Sequence, residues 1–490
     1  MRKSMTILFI ILVLLLTGCQ NNDSGEFSIE TARIGVMTGT TGEDAAIKAY
    51  PDANISGFGN ISEALAALQA GRIDAVVTPD VVAINAVREN PNFVRLPELL
   101  NYEYVCAGIK KGNDAFLAEI NRIIAELWAD GTFDDKKHRW IDSYPAVPIE
   151  IPRVSDGEVL RVGTAGISMP FIYVDGDRNI VGYAPELAYR IGYELGRPIE
   201  IIHMEFTALI PSLESGRIDI IVDMMAATDE RRQAIDFSDH YYISGHNLLL
   251  LSSDAPQTTQ SFWQSLITAF ERNLIQEDRW KMVLDGLQVS LTITIFAFAL
   301  ATLLGFGICG LRMSKNPVLK AIGGIYVNIL RGTPIVVLLM ITFYIIFARS
   351  SLSGTIVAII AFGANGAAFI GEIIRSAIST IDKGQAEAAR SMGFSKTGAF
   401  FTVIFPQAVR VAFPVYMSEF VSLFKMTSVV GYIAIVDLTK AGDIIRSRTY
   451  DAFFPLIMVA LVYLIAASLM IWLLNYINRK TNKRLRRTKV

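Results

Sequence analysis

The sequence predicts an exported two-lobe α/β body followed by an all-α membrane domain of five transmembrane helices. Three observations predict it. Charged residues make up 19 % of the 490, below the roughly 25 % usual for a soluble domain, and mean hydropathy is +0.40. The deficit is uneven: charges run through residues 20–280, whereas from about Leu287 the chain becomes long apolar runs separated by short basic loops. Within the charged stretch, Gly-Arg-Ile-Asp precedes an apolar run twice, at Gly71–Asp74 and Gly216–Asp219, which implies two similar lobes.

Composition also excludes classes. A net charge of −2 argues against a nucleic-acid binder. Three cysteines (Cys19, Cys106, Cys309) cannot build a disulfide scaffold or a four-cysteine zinc site, and the four histidines lack ligand spacing, so no metal is expected.

The first 19 residues have a basic start, Met1-Arg2-Lys3, and an apolar run, Ile7 to Leu16, that ends in Thr17-Gly18-Cys19. The run is too short to span a bilayer and reads as a secretory signal. A Cys directly after small residues resembles a bacterial lipoprotein cleavage box, which implies lipidation at Cys19 and a tether over residues 20–29. An uncleaved anchor is the alternative. Either reading exports residues 20–280.

In the first α/β segment, Arg33 to Met37 is a strand leading into Thr38-Gly39-Thr40-Thr41-Gly42, then a helix, a strand, the helix Ile61 to Ala70 and the strand Ala75 to Val77. The second segment runs strand Leu160–Gly163, helix Pro185–Leu195, strand Ile199–His203, helix Leu209–Ser215 and strand Ile218–Val222. Strands alternating with helices imply parallel sheets, with ligands at the carboxyl ends of strands.

Pro170-Phe171, Val181-Gly182-Tyr183, Leu209 to Leu213, Thr228-Asp229-Glu230-Arg231 and Phe237 to Tyr242 resemble the first lobe of the polar amino-acid binding proteins of ABC importers. Gly39-Thr40-Thr41, Ala64-Leu65, Asp74 to Thr78, Tyr104, Asp130 to Phe133 and Arg139-Trp140 resemble that family's second lobe and its C-terminal return. The order is reversed. The resemblance implies one circularly permuted, periplasmic-binding-protein-like clamshell of type II: lobe two and the return over 30–141, a linker over 142–158 and lobe one over 159–252. Two incomplete lobes from a decayed tandem pair are the alternative.

An amino-acid ligand needs a fixed cation for its carboxylate, and a planar Arg fork suits it. The resemblance places that role on Arg231, with Thr228, Thr40, Thr41 and Phe171 around the ligand. Thr40 and Thr41 stand at a helix N-terminus, which favours an anion. The family's threonine five residues before the Arg is Ala226, its acidic position on the first strand is Ala165, and its second-lobe aspartate is displaced from Pro79 to Asp80. The amine anchor is therefore Asp80 or Asp223.

Leu287–Leu311, Ile335–Ala348, Gly354–Ile374, Val411–Val436 and Phe454–Ile477 are the five apolar segments. The second is short unless it extends back through Ile325–Leu330. They define a membrane domain over 281–478, after a linker over 253–280 and before a basic tail over 479–490. Basic loops follow the first and third segments and the fifth ends in the tail. The positive-inside rule therefore puts these groups in the cytoplasm, as five crossings after an exported start require. Between segments three and four, Glu387-Ala388-Ala389, then Gly393, then Pro406 resembles the EAA loop of ABC importer permeases. Arg331 to Pro334 and Phe424 to Ser428 match the amino-acid branch. The resemblance implies that Glu387, Ala388, Ala389 and Gly393 dock a cytoplasmic ABC ATPase. No GxxxxGK[ST] loop occurs, so ATP is expected to be used by that partner, with no cofactor in this chain. The implied assembly is a homodimer of the permease embedded in membrane lipid, with no catalytic residues of its own. A ligand-binding membrane sensor, or an importer of a related non-amino-acid molecule, is the competing function.

Overall fold

The computed structural model describes residues 28–143, 145–165, 168–175, 179–252, 262–347, 350, 352–433, 435–451 and 453–481. The signal segment, Cys19, most of the tether and nearly all of the basic tail lie outside these residues.

The exported half is organised by two long antiparallel strands, β4 (Phe93–Lys110) and β10 (Ile235–Leu251). The sheet order is β2-β1-β3-β10-β4-β9-β5-β8, and the short β6 (Tyr173–Val174) and β7 (Ile180–Val181) pair apart from it. At one end, β1 (Arg33–Met37), β2 (Asn54–Phe58) and β3 (Ala75–Pro79) join through Leu250↔Ala75 to His246↔Pro79 of β10. At the other, β5 (Leu160–Thr164), β8 (Ile199–His203) and β9 (Ile220–Ile221) join through Gly108↔Ile221 of β4. The chain thus starts in one lobe, crosses to the other on β4, and crosses back on β10. Both segments share one sheet and line one cavity. A permuted clamshell requires this path, whereas two separately folded half-lobes would share neither.

The repeated Gly-Arg-Ile-Asp has a structural meaning in each lobe. Asp74 accepts the backbone N–H of Arg33 at 2.8 Å and its Nη2 at 2.7 Å. Asp219 accepts the N–H of Arg161 at 2.9 Å and its Nη2 at 2.7 Å. Each aspartate fixes the first strand of its lobe near its start, so the motif sets the register of the two central parallel strands.

In chain order the first lobe (the family's lobe two) is covered by helices α1 (Thr41–Ala49), α2 (Ile61–Gln69) and α3 (Asp80–Glu89), and the second (the family's lobe one) by α4 (Asp114–Ala129), α5 (Tyr183–Leu195) and α6 (Leu209–Glu214). Helix α2 starts where Asn60 accepts the N–H of Glu63 at 3.0 Å and Glu63 accepts back from the Asn60 amide at 3.1 Å, a reciprocal cap. The return segment is held to α5 by a buried fork. Arg139 donates to both Glu186 oxygens at 2.9 and 2.7 Å, and Trp140 Nε1 adds a bond at 2.6 Å.

The stretch 253–280, expected as a linker, contains a helix, α7 (Phe262–Phe270). Coiling puts Trp263, Leu266, Ile267 and Phe270 on one face of it.

In the membrane half, α8 (Trp280–Met313), α11 (Gly354–Thr380), the run Lys396–Ile433 and Phe454–Tyr476 are each long and apolar enough to cross a bilayer. Helices α9 (Pro317–Gly332) and α10 (Ile335–Ile346) meet at 107°, so the fifth crossing exists only if this bent pair counts as one. Thr333-Pro334 explains the break, because Pro334 has no N–H to continue the ladder. Helices α8 and α11 pack backbone to backbone: a Cβ on Gly371 would lie 3.1 Å from the Gly305 carbonyl oxygen, and small residues are what permit such approach in membranes.

The remaining elements are α12 (Lys383–Ser391), α13 (Phe405–Met426), α14 (Leu438–Thr449) and α15 (Phe454–Thr481). Buried α14 lies between the membrane helices and both lobes. Asp437 caps it and accepts from Tyr463 OH at 3.2 Å. Lys440 Nζ reaches Glu205 of the second lobe at 2.8 Å. At its other end, the Tyr450 carbonyl accepts from Gln69 at 2.8 Å and its hydroxyl accepts from Asn85 at 3.1 Å, both in the first lobe.

Candidate functional site

A cavity of about 60 Å³ lies between the lobes. The first lobe contributes Met37, Thr40, Thr41 and Thr78; the second contributes Ala165, Phe206, Asp223 and Arg231; the crossing strands contribute Glu103 and His246. Backbone geometry explains the convergence. The β1 and β3 carboxyl ends and the β5 and β9 carboxyl ends face each other across the hinge, as expected for ligand sites in parallel sheets.

Arg231 bridges the lobes. Its Nη1 donates to the Ala226 carbonyl at 2.9 Å and its Nη2 to the Gly39 carbonyl of the other lobe at 3.0 Å, while its guanidinium lies 5.3 Å from the Phe206 ring centre. Burial lowers its pKa from the usual value, opposed chiefly by Glu103. These two bonds leave guanidinium N–H groups for an anion.

Asp223, two residues past β9, sits in a nest of donors: Thr164 Oγ1 at 3.0 Å, Met224 N–H at 2.6 Å and the Ala165 N–H. Burial raises its pKa, and these bonds oppose the rise. Glu103 accepts from Thr41 Oγ1 at 2.5 Å. Burial raises its pKa too, against the Thr41 bond and Arg231. Two carboxylates and one guanidinium on one small cavity suit a ligand carrying both charges.

His246 is neutral at pH 7, because burial lowers its pKa to about 4. Its ring Nδ1 lies 3.0 Å from Asn101 Oδ1. An amide oxygen only accepts, so the proton sits on Nδ1 and Nε2 becomes an acceptor. The Thr78 hydroxyl is buried and has no partner among the described residues, although it lines the cavity.

Several expected positions are placed differently. Phe171 is fully buried and stacks on Tyr183 at 4.9 Å, so it belongs to the core rather than the cavity wall. Asp80 begins α3 and accepts from Ser244 at 3.0 Å, and it does not line the cavity. Inserting Pro79 at the family's carboxylate position moves the acid into the helix's first turn. The Thr228 hydroxyl accepts the Arg231 N–H at 3.2 Å, so it caps the turn that carries Arg231. Thr40 and Thr41 do line the cavity, but neither caps α1: Thr40 Oγ1 donates to the Met37 carbonyl at 2.7 Å. Glu103 and His246 line the cavity as well; on extended strands nothing but their polarity marks them in the sequence.

On the membrane half, α12 is capped by Asp382, which accepts the Gly384 N–H at 2.6 Å. Gly393 adopts φ +89° and closes the helix, its N–H bonding the Arg390 carbonyl at 3.0 Å; only glycine takes that conformation without cost. Glu387 and Ala388 are exposed, as is Met392. Ala389 faces inward and is buried, so it seats the helix on the bundle instead of meeting a partner.

A two-lobe cleft carried on a bundle of membrane helices defines a solute-binding module built into a membrane protein. The model of the bacterial extracellular solute-binding proteins, family 3, matches residues 160–460, more than half of the chain, and the chain belongs to that family. The chain is 32 % identical over 202 residues to the putative glutamine transport system permease protein GlnP of Rickettsia typhi, covering 40 % of this chain and 92 % of that one. It is 33 % identical over 214 residues to the L-cystine transport system permease protein TcyB of Bacillus subtilis, covering 44 % and 88 %. Among solved structures, one described as an amino acid ABC transporter with histidines is 30 % identical, covering 46 % of this chain and 100 % of that one, with a TM-score of 0.40. The chain therefore joins a solute-binding module to an ABC-transporter permease.

Proposed function

We propose that this chain is the combined binding and permease subunit of an ATP-driven importer of amino acids, polar ones in particular. The observation that carries the reading is the cavity, which sets Arg231 against Glu103 and Asp223 on a module fused to a permease. Arg231 receives the ligand's carboxylate, and Glu103 or Asp223 receives its ammonium. His246 Nε2 and Thr78 Oγ1 are left for a polar side chain. Glutamine and L-cystine, named for the relatives, are the first to test.

In this reading the clamshell is a circular permutation of the family's, with the old termini joined through residues 142–158. The lobes close on the ligand and deliver it to their own permease at high effective concentration. A separate cytoplasmic ATPase seats on α12, with Glu387, Ala388 and Met392 outward, and two copies of the chain form the pore. The ATPase supplies the energy, so this chain holds no cofactor and makes no covalent change to its ligand. Cys19 carries the lipid, the binding module is extracytoplasmic, and α12 and the tail are cytoplasmic.

The test is a thermal-shift screen of the purified full chain against the twenty amino acids, repeated with Arg231→Ala. A shift by at least one amino acid that Arg231→Ala removes supports the reading. No shift by any of them, or one indifferent to Arg231, overturns it.

A further inference from the structure

The segment between the binding module and the first membrane helix folds into α7 and docks against the bundle. Arg272 Nη2 and Asn273 Nδ2, just past its end, donate to Asp451 Oδ2 at 2.7 and 2.8 Å, and Thr449 Oγ1 donates to Asn273 Oδ1 at 2.8 Å. Asp451 sits directly before α15. The polar anchors of the segment thus fix α7 at the level where a membrane helix begins, on the side of the binding module.

One outward face of α7 is apolar. Trp263, Leu266, Ile267 and Phe270 are exposed at 71, 38, 58 and 47 %. Their spacing is i, i+3, i+4 and i+7, so they form one stripe along the helix. The stripe does not stop at the helix end. The Phe270 ring meets Phe454, in the first turn of α15, with centres 6.3 Å apart. Beyond it, Phe453 and Leu456 are exposed apolar residues at the head of the same helix, as are Ile275 and Trp280 at the head of α8. The α7 stripe is therefore continuous with the outward face of the bilayer-crossing α15. Thr268, one position round from Ile267, is exposed and polar. A short helix with one apolar and one polar face, held at the membrane boundary, lies in the interface with its apolar face against acyl chains.

We propose that α7 is a membrane-surface helix whose Trp263–Leu266–Ile267–Phe270 stripe inserts into the headgroup boundary of the leaflet on the binding-module side. The occupant of that face is phospholipid. The connection between binding module and permease is then a bilayer-anchored hinge, which restricts where the module can stand over its pore.

Site-directed nitroxides test this in the full chain carrying Cys19→Ser, Cys106→Ala and Cys309→Ala, reconstituted in phosphatidylcholine nanodiscs. Labels go at Ile267→Cys and, separately, at Thr268→Cys; both sites are exposed. The expected result is that oxygen relaxes the Ile267 label several-fold more effectively, relative to a water-soluble nickel chelate, than it relaxes the Thr268 label. Equal accessibility ratios at the two positions would place the helix in water and overturn the proposal. An Ile267 label shielded from both reagents and broadened by a second nitroxide would assign the stripe to another copy of the chain, and would also overturn it. As a second readout, phosphatidylcholine brominated near the glycerol should quench the wild-type tryptophan emission more than that of Trp263→Phe. Equal quenching of the two contradicts insertion.

Discussion

Arg231 does two jobs with one guanidinium: it holds the lobes together through Ala226 and Gly39, and it presents its remaining N–H groups to the cavity. Truncating one partner of a desolvated charge pair costs about 2–5 kcal/mol, so Arg231→Ala should weaken ligand binding by roughly 30- to 3,000-fold in calorimetry. Glu103→Gln and Asp223→Asn should each weaken it as well, the larger loss marking the amine anchor. Asp80→Ala should cost far less, because Ser244 occupies its carboxylate. His246 adds a pH dependence. Its pKa is 6.5 unfolded and about 4 folded, so the unfolded chain takes up the proton first. The neutral ring contributes its full stability above pH 6.5 and loses it as the pH falls toward 4, at most about 3 kcal/mol. The difference in melting temperature between wild type and His246→Gln should shrink across that window. Arg231 was legible in the sequence because it stands in a contiguous motif. Glu103 and His246 were not, because register shifts between β4 and β10, including one between Gly245 and Asn247, decide which strand residues face the cleft. Phe171 misled because an aromatic beside a ligand and an aromatic in a core read alike.

The elements divide in the same way. The strands and helices of both lobes follow from period and turn residues, and the Gly-Arg-Ile-Asp repeat alone marks two equivalent positions. Helix α7 was hidden in what read as linker, since nine residues mixing apolar and polar side chains do not reveal whether they coil. The Arg139–Glu186–Trp140 cluster is the element-scale tie that closes the first segment onto the second. Glu186→Ala leaves the buried Arg139 with only the exposed Asp135 as its ion-pair partner, at 2.7 Å, and Trp140 Nε1 without its acceptor, so it should lower stability by about 3–5 kcal/mol in denaturant unfolding. Helix α12 makes a different prediction. Glu387→Lys reverses an exposed charge without touching the fold, and should abolish coupling to an ATPase while the melting temperature and ligand binding stay put. Gly393→Asp adds backbone strain of roughly 1–2 kcal/mol at its positive φ and should uncouple as well. Ordinary ligand-stimulated ATP hydrolysis in both variants would count against the assignment.

At the scale of the whole molecule, the unusual feature is that one chain carries both the clamshell and its permease, and that α14 touches both lobes. Its two ends grip residues one step from the cavity. Glu205 precedes the lining residue Phe206, and Asn85 lies one helical turn from the lining residue Val82. Movement of either lobe must strain one end of α14. Breaking the Lys440–Glu205 bond with Lys440→Met should therefore reduce transport more than it reduces ligand affinity. The division into an exported half and a membrane half was readable from charge alone. How the halves touch was not, since those contacts join residues more than 200 positions apart, such as Glu205 and Lys440. The central claim, that these halves act as one amino-acid importer, is tested most directly by uptake. Proteoliposomes holding the full chain and its cognate ATPase would be given ATP on the α12 side and labelled amino acids on the other. The account predicts ATP-dependent accumulation of at least one amino acid, lost in Arg231→Ala and in Glu387→Lys. No accumulation of any amino acid, or flux that persists without ATP, would contradict it.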